Sequence, residues 1–199
     1  MKKILTNIVS AFGLILLISS CSKNEDTFDA ATRFEEEKGI IATYAKSKYP
    51  NMNISSDTTG IWFEVINPGE EGSYEYKVID TVYNGYNTKM VRPADITVRY
   101  TGKLISNETV FDSNTSEAGM SGKTTDYISA WYYAFMPKSI GEHKIGGLTL
   151  KGLQKGSKIR IITPSYFAYG NSSVGTIPAN SPLYFEIEVV SIKDHNPNK

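Results

Sequence analysis

A helix followed by a run of strands, an α+β order, is the fold class this sequence predicts. Three observations carry it. Residues 27–48 are rich in helix formers, Glu35-Glu36-Glu37-Lys38 among them, and Phe34, Ile41 and Ala45 recur near helical spacing. Beyond Gly60, short apolar-polar alternations punctuated by Gly, Pro and Asn replace that period. The composition agrees, since 13 Tyr, 8 Phe and 2 Trp supply the bulky residues that a half-buried sheet prefers. At 199 residues the chain has room for one domain of ordinary size plus an export segment and a short extension.

The first 20 residues open with Lys2 and Lys3, continue through an apolar run that includes Ile15, Leu16, Leu17 and Ile18, and close on Ser19-Ser20 before Cys21. This is the three-part pattern of a secretory signal, and its apolar run falls short of the roughly 20 residues a spanning helix needs. Ile18-Ser19-Ser20-Cys21 resembles a lipobox. That resemblance implies diacylglycerol on the Cys21 thiol, cleavage before it and acylation of the new amino terminus, an anchor in which each buried methylene contributes about 0.8 kcal/mol. The expectation is a protein of the cell envelope held to the outer membrane through Cys21, with a cleaved, soluble secreted protein as the alternative. Ser22-Lys23-Asn24-Glu25-Asp26 reads as a polar, mostly acidic tether, and orientation towards the periplasm or outwards stays open.

Tether and amphipathic helix together occupy residues 21–58, and Pro50, with Asn51 and Asn53 beside it, ends the helix. Its use is as a spacer packed on the domain or as a dimerising element. Ile61 to Ile66 reads as a strand closed by the turn Asn67-Pro68-Gly69. Tyr74 to Ile79 and Thr81 to Tyr83, with Thr88 to Val91 beyond an Asn84-Gly85-Tyr86-Asn87 turn, predict a hairpin closed by Pro93. Ile96 to Tyr100 is a further strand with Ile96, Val98 and Tyr100 on one face, and Gly102 marks a bend or a close approach. Ile159 to Thr163 and Leu183 to Ile192 complete the strands, and residues 194–199 read as a frayed tail.

Charge and motif content exclude several chemistries. Acidic and basic residues balance at 21 each, which argues against nucleic acid as a partner. One cysteine excludes an internal disulfide, and two histidines, His143 and His195, make a His-rich metal site improbable. Neither a catalytic triad, nor a phosphate-cradling glycine loop, nor HExxH-like spacing is present, so no metal and no cofactor are expected.

Two separated signatures remain. Ile96-Thr97-Val98-Arg99-Tyr100-Thr101-Gly102-Lys103-Leu104, then Val110-Phe111-Asp112-Ser113, resembles the V-x-V-x-Y-x-G-x-L and F-D-S segments of the FKBP family of peptidyl-prolyl isomerases. Lys155-Gly156-Ser157-Lys158, then Pro164 to Gly170 with its Ala168-Tyr169-Gly170, then Ile177-Pro178 and Leu183 to Val189, resembles that family's ending in order and spacing. The likeness spans residues 59–193.

It implies an antiparallel sheet wrapped over one short helix, again α+β, with a shallow aromatic pocket for a substrate proline. By motif, Tyr100, Phe111 and Asp112 would form one wall, Ile177 and Phe185 another, and Tyr169 would supply a hydroxyl to a bound carbonyl. Taken singly, the apolar four read as core and Asp112 as a turn residue. The implied partners are proline-containing polypeptides. The implied activity is rotation about X-Pro bonds, and the alternative is a non-catalytic module that binds peptide or protein.

Three departures qualify the likeness. The family's short helix carries a tryptophan in G-W-x-E-x-L, and aligning that helix with Ile145 to Gly156 leaves Ile145 with Leu148, or Gly146 without a deletion, as pocket floor. Ahead of it, Asp126 to Met136 is unusually aromatic; Trp131 or Phe135 would rebuild the floor, or the segment is a packed helix or capping flap. The third departure is the inserted hairpin near residues 74–91, which extends the sheet or binds a partner at its edge.

Overall fold

The computed structural model describes residues 30–56 and 58–196. The signal segment, Cys21 and the tether lie outside the described residues, as do residues 27–29 of the anticipated helix. Helix α1 runs over Ala30–Lys48, and its buried residues Glu37, Ile41 and Ala45 recur every fourth position. Lys46 and Lys48 sit in its last turn, where their charge complements the negative end of the helix dipole. Among the described residues no helix is long and apolar enough to cross a membrane.

The strands are β1 (Asn53–Ile54), β2 (Trp62–Asn67), β3 (Val78–Tyr83), β4 (Tyr86–Val91), β5 (Ala94–Leu104), β6 (Val110–Asn114), β7 (Met120–Lys123), β8 (Ser139–Ile140), β9 (His143–Lys144), β10 (Lys158–Thr163) and β11 (Leu183–Asp194). Seven form one sheet in the order β1-β2-β10-β11-β5-β6, with β7 also pairing β5, and every pairing is antiparallel. The two halves of β5 share an edge: Asp95 to Val98 pair with β7, and Tyr100 to Lys103 with β6. Every second residue of β5, from Ala94 through Ile96, Val98, Tyr100 and Gly102 to Leu104, is buried, which is the alternation one covered face demands.

A short helix, α2 (Ser129–Phe135), covers that face with Ala130, Trp131, Ala134 and Phe135, and the main core forms between it and Ile96, Val98, Ile159, Ile161, Phe185 and Ile187. A second, smaller core lies under α1, where Ile41 and Ala45 meet Met52, Ile105, Ile162 and Tyr184. The helix therefore packs on the domain. One more docking contact joins it to the 3-10 turn Ser165–Phe167: the Ser165 N–H and hydroxyl both donate to the buried Glu37 carboxylate at 2.7 Å.

Four local expectations are corrected. Residues 74–77 do not form a strand; Tyr76 turns inward and its hydroxyl donates to the Leu153 carbonyl at 2.8 Å. The hairpin turn is the pair Asn84-Gly85 alone, both with positive φ (49° and 81°), so Tyr86 and Asn87 belong to β4. Residues 145–156 are not helical, because Gly146 and Gly152 adopt positive φ (87° and 73°) that a right-handed helix does not accommodate. The start of the tail is tied down: Asp194 accepts from Tyr74 and Arg92, and His195 meets Asp95 at 2.6 Å.

Candidate functional site

The sheet's covered face opens at one end into a cavity of about 220 Å³. Its walls come from distant parts of the chain: Tyr100 on β5, Phe111 and Asp112 on β6, Met120 on β7, residues 126–128 and Trp131 at the start of α2, Tyr169, and Phe185 on β11. The volume is below the roughly 300–1,000 Å³ of sites for drug-sized ligands and suits a single side chain with its flanking amide.

Trp131 forms the floor. Its ring meets Tyr100 edge-on at 5.1 Å and Phe185 at 5.6 Å, and Tyr127 lies at 5.0 Å. Its indole N–H is buried without a hydrogen-bond partner among the described residues, so ring packing alone sets its orientation. Phe111 closes the side against Phe185 at 5.6 Å. Gly102 makes this possible, since a Cβ there would fall 2.6 Å from the Phe111 ring and 3.0 Å from that of Phe185. The close approach read from the sequence at Gly102 is thus a requirement of the aromatic wall.

Polar groups sit on the rim. The Tyr100 hydroxyl donates to Asp112 Oδ2 at 2.5 Å, and burial, this bond and the Asp112 charge push the Tyr100 phenol well above its ordinary value. Burial, then the Asp112 charge, also raises Tyr169. Both phenols, protonated at neutral pH even at their ordinary value, are held further from ionisation. The Tyr169 loop is held by its backbone: the Ala168 and Gly170 N–H groups both donate to the Ser165 carbonyl at 2.8 Å, and the Asn180 N–H donates to the Gly170 carbonyl at 2.8 Å. Ile128 precedes α2 as its N-cap, so its N–H lies outside the helix ladder, whose first bonds run to the Ile128 carbonyl.

Tyr100, Phe111, Asp112, Tyr169 and Phe185 are therefore brought together as the motifs imply. Ile177 is not with them; it is buried in the main core and forms a bridge with Val174. The floor assignment to Ile145 and Leu148 is corrected. Leu148 is sealed in the core, and Ile145 faces a different hollow beside His143 and the β3–β4 hairpin. Of the two aromatic alternatives, Trp131 lines the cavity, and Phe135, one turn later on α2, is fully buried beneath it. The tryptophan of the family's helix is present after all: Ala130-Trp131 stands where the pattern has G-W. Sequence reading passed over Met120, Asp126, Tyr127 and Ile128, whose only signal was their place just ahead of that tryptophan or on a short strand. Among the described residues no group of three or more His, Cys, Asp and Glu side chains is arranged to hold a metal ion.

An antiparallel sheet half-wrapped around a short helix, with an aromatic cavity between them, defines the FKBP-like α+β class. The chain belongs to the FKBP-type peptidyl-prolyl cis-trans isomerase family, whose model matches residues 87–190. It is 35% identical over 118 residues to the FKBP-type peptidyl-prolyl cis-trans isomerase FkpA of Buchnera aphidicola from Schizaphis graminum, covering 59% of this chain and 40% of that protein. With FkpA of Escherichia coli K12 it shares 27% identity over 165 residues, 83% of this chain and 48% of the relative. The chain thus spans about half or less of the length of these relatives. Among solved structures, E. coli FkpA aligns at a TM-score of 0.55 and 25% identity over 83% of this chain and 62% of that one. A peptidyl-prolyl cis-trans isomerase from Pseudomonas syringae pv. tomato has the same fold, with a TM-score of 0.54, 22% identity, and coverage of 82% and 95%.

Proposed function

We propose that this chain is a peptidyl-prolyl cis-trans isomerase, a folding helper that acts on proline-containing polypeptides. The observation that carries the reading is the convergence of Tyr100, Trp131, Tyr169 and Phe185, from four separate segments, on one cavity sized for a prolyl ring. Rotation about an X-Pro bond faces a barrier of about 18–20 kcal/mol because the twisted amide loses its resonance. No nucleophile is needed to lower it. A dry aromatic floor grips the ring, the Tyr169 hydroxyl and the Ile128 N–H offer donors to a peptide carbonyl, and the pocket binds the twisted amide better than either planar one. In this reading Tyr100, Phe111, Asp112, Tyr169 and Phe185 take the roles that the family motifs imply, with Trp131 as the surface under the ring; their shared cavity supports it. An altered floor spoke for the binding-module alternative, and an open cavity with Trp131 in its lining supports the isomerase instead.

The cell envelope is the proposed location. The lipobox-like Ile18-Ser19-Ser20-Cys21 supports a lipid anchor on Cys21, with the outer membrane as the destination. Metabolic labelling with a radioactive fatty acid should mark the wild-type protein and leave Cys21→Ala unlabelled; label on both would remove the anchor. For the activity, cis-to-trans isomerisation of short X-Pro peptides should be accelerated by residues 22–199 and lose most of that acceleration in Phe185→Ala. Failure to accelerate any peptide, whatever residue precedes proline, would return the chain to the binding-module reading.

A further inference from the structure

Glu37 is a carboxylate midway along α1, 2% exposed, in a helix whose other buried residues are apolar or small. Burying a carboxylate costs several kcal/mol unless its oxygens are well bonded. Here each oxygen receives one bond, Oε2 from the Ser165 N–H and Oε1 from the Ser165 hydroxyl, both at 2.7 Å. Ser165 is itself 3% exposed and opens the 3-10 turn, so its N–H has no donor's partner within the turn. From Ser165 the connection continues through the backbone. Its carbonyl accepts from Ala168 and from Gly170, the two residues flanking Tyr169. The docking is reinforced nearby, where Phe34, one turn earlier on α1, packs edge-on against Tyr166 and Phe167 at 6.3 Å each.

Ile41 and Ala45 already hold α1 on the domain by apolar contact, and a buried leucine would do the same at Glu37 without the cost of desolvating a charge. What the carboxylate adds is direction, because two short bonds to one serine fix that residue's rotation as well as its position. We propose that Glu37 is a positioning residue of the prolyl site: from the N-terminal helix, outside the segment the family model matches, it orients Ser165 and through it the loop that presents the Tyr169 hydroxyl. The inference rests on the isomerase reading of the cavity.

The test uses residues 22–199 as wild type, Glu37→Gln, Tyr169→Phe and the double variant, each checked for an intact thermal transition. Glutamine keeps the shape but removes the charge from both bonds, and its NH2 is met only if the Ser165 hydroxyl turns from donor to acceptor. Expected is a fall in kcat/KM of roughly tenfold for Glu37→Gln, as small misplacements of a binding group produce, and no further fall when it is added to Tyr169→Phe. Losses that multiply in the double variant, or an unchanged kcat/KM in Glu37→Gln, would overturn the proposal. Ser165→Ala, which removes only the hydroxyl donor, is the milder variant should Glu37→Gln not fold, and it should lose activity in the same Tyr169-dependent way. Amide hydrogen exchange separates this idea from the isomerase reading. In Glu37→Gln the Ala168 and Gly170 amides should exchange at least about tenfold faster with the Ile187 amide unchanged; equal exchange rates sink the positioning role even if the enzyme is active. A wild-type protein that accelerates no X-Pro peptide sinks the isomerase reading, and the exchange rates still decide whether Glu37 holds the loop.

Discussion

Strands β5 and β11 and strands β3 and β4 are both antiparallel pairs of good strand formers, and they have little else in common. The first pair runs in register from Leu183 opposite Leu104 to Asp194 opposite Ala94, with one irregularity between Val189 and Ser191, and lies between neighbours on both sides. The second pair is a separate two-stranded sheet whose Val82 and Tyr86 are 66% and 78% exposed, and among its described side chains only Val91, at its base, is buried. An isolated two-stranded pair is marginal in water. Local sequence makes a strand in either place; a covered face makes one of them structural. The cavity is built on the first pair, which supplies Tyr100 and Phe185, and the hairpin supplies none of its lining residues.

The largest effect that tests this contrast is on stability. Ile187→Ala removes a fully buried side chain from β11 and should cost about 2–5 kcal/mol, read as a lower urea midpoint. Val82→Ala in β3 should stay within about 0.5 kcal/mol of wild type. Comparable costs at the two sites would mean that the hairpin is part of the cooperative core. Next comes Tyr169→Phe, which removes one rim hydroxyl from the cavity: kcat/KM should fall roughly tenfold with an unchanged urea midpoint, since only one half-buried hydroxyl is lost.

A smaller effect appears with pH at the points where the first pair is pinned. Tyr74 is pushed up to about 12 by burial, then by the charge and hydrogen bond of Asp194 at the end of β11. The folded state therefore holds this proton more tightly than the unfolded chain. Its contribution to stability is complete below the ordinary value of 10.0 and is lost as pH rises through about 12, and Tyr74→Phe should flatten the alkaline limb of a stability-pH profile. Glu186, on β11, has the opposite sign. Burial raises its carboxyl, but hydrogen bonds from Lys158 and Arg160 outweigh it and hold the group below 4.5. That contribution is present above 4.5 and is lost as pH falls through the depressed value, so Glu186→Gln should lower stability at neutral pH and leave it little changed in acid. The least effect on the whole molecule belongs to Gly85→Ala. Its positive φ strains any side chain, so the hairpin amides should exchange faster, with no shift in the urea midpoint.

Much of the central sheet was legible because burial imposes a period. Ile96, Val98 and Tyr100 alternate with polar residues, and the strands at 159–163 and 183–192 fall within two residues of β10 and β11. Strands β6 and β7 carry no such signal, since Val110 is exposed and Met120 to Lys123 contains one apolar residue; they exist because β5 offers them an edge. The short helix was misplaced for a physical reason too. Tyr132 and Tyr133 are indifferent helix formers, and Ala130 hides the glycine-tryptophan signature, so the glycine-rich stretch that begins at Ile145 drew the alignment. Six pocket residues were placed by motif; five of them, Tyr169 on its loop included, line the cavity, and Ile177 lies in the core. Glu37 gave no warning at all, because a glutamate among glutamates on a helix looks solvated until the partner 128 residues away is known.

Strand β11 is the final strand in chain order, yet it sits between β5 and β10 in the middle of the sheet. The main core consequently cannot close until this segment has been made and delivered, and the pairing of Ala94 with Asp194 joins residues 100 positions apart. Such long-range closure folds slowly. A chain emerging from a ribosome would carry the β2–β10 pair and β5 with no central strand to join them, which keeps it open for as long as its C-terminal part is withheld.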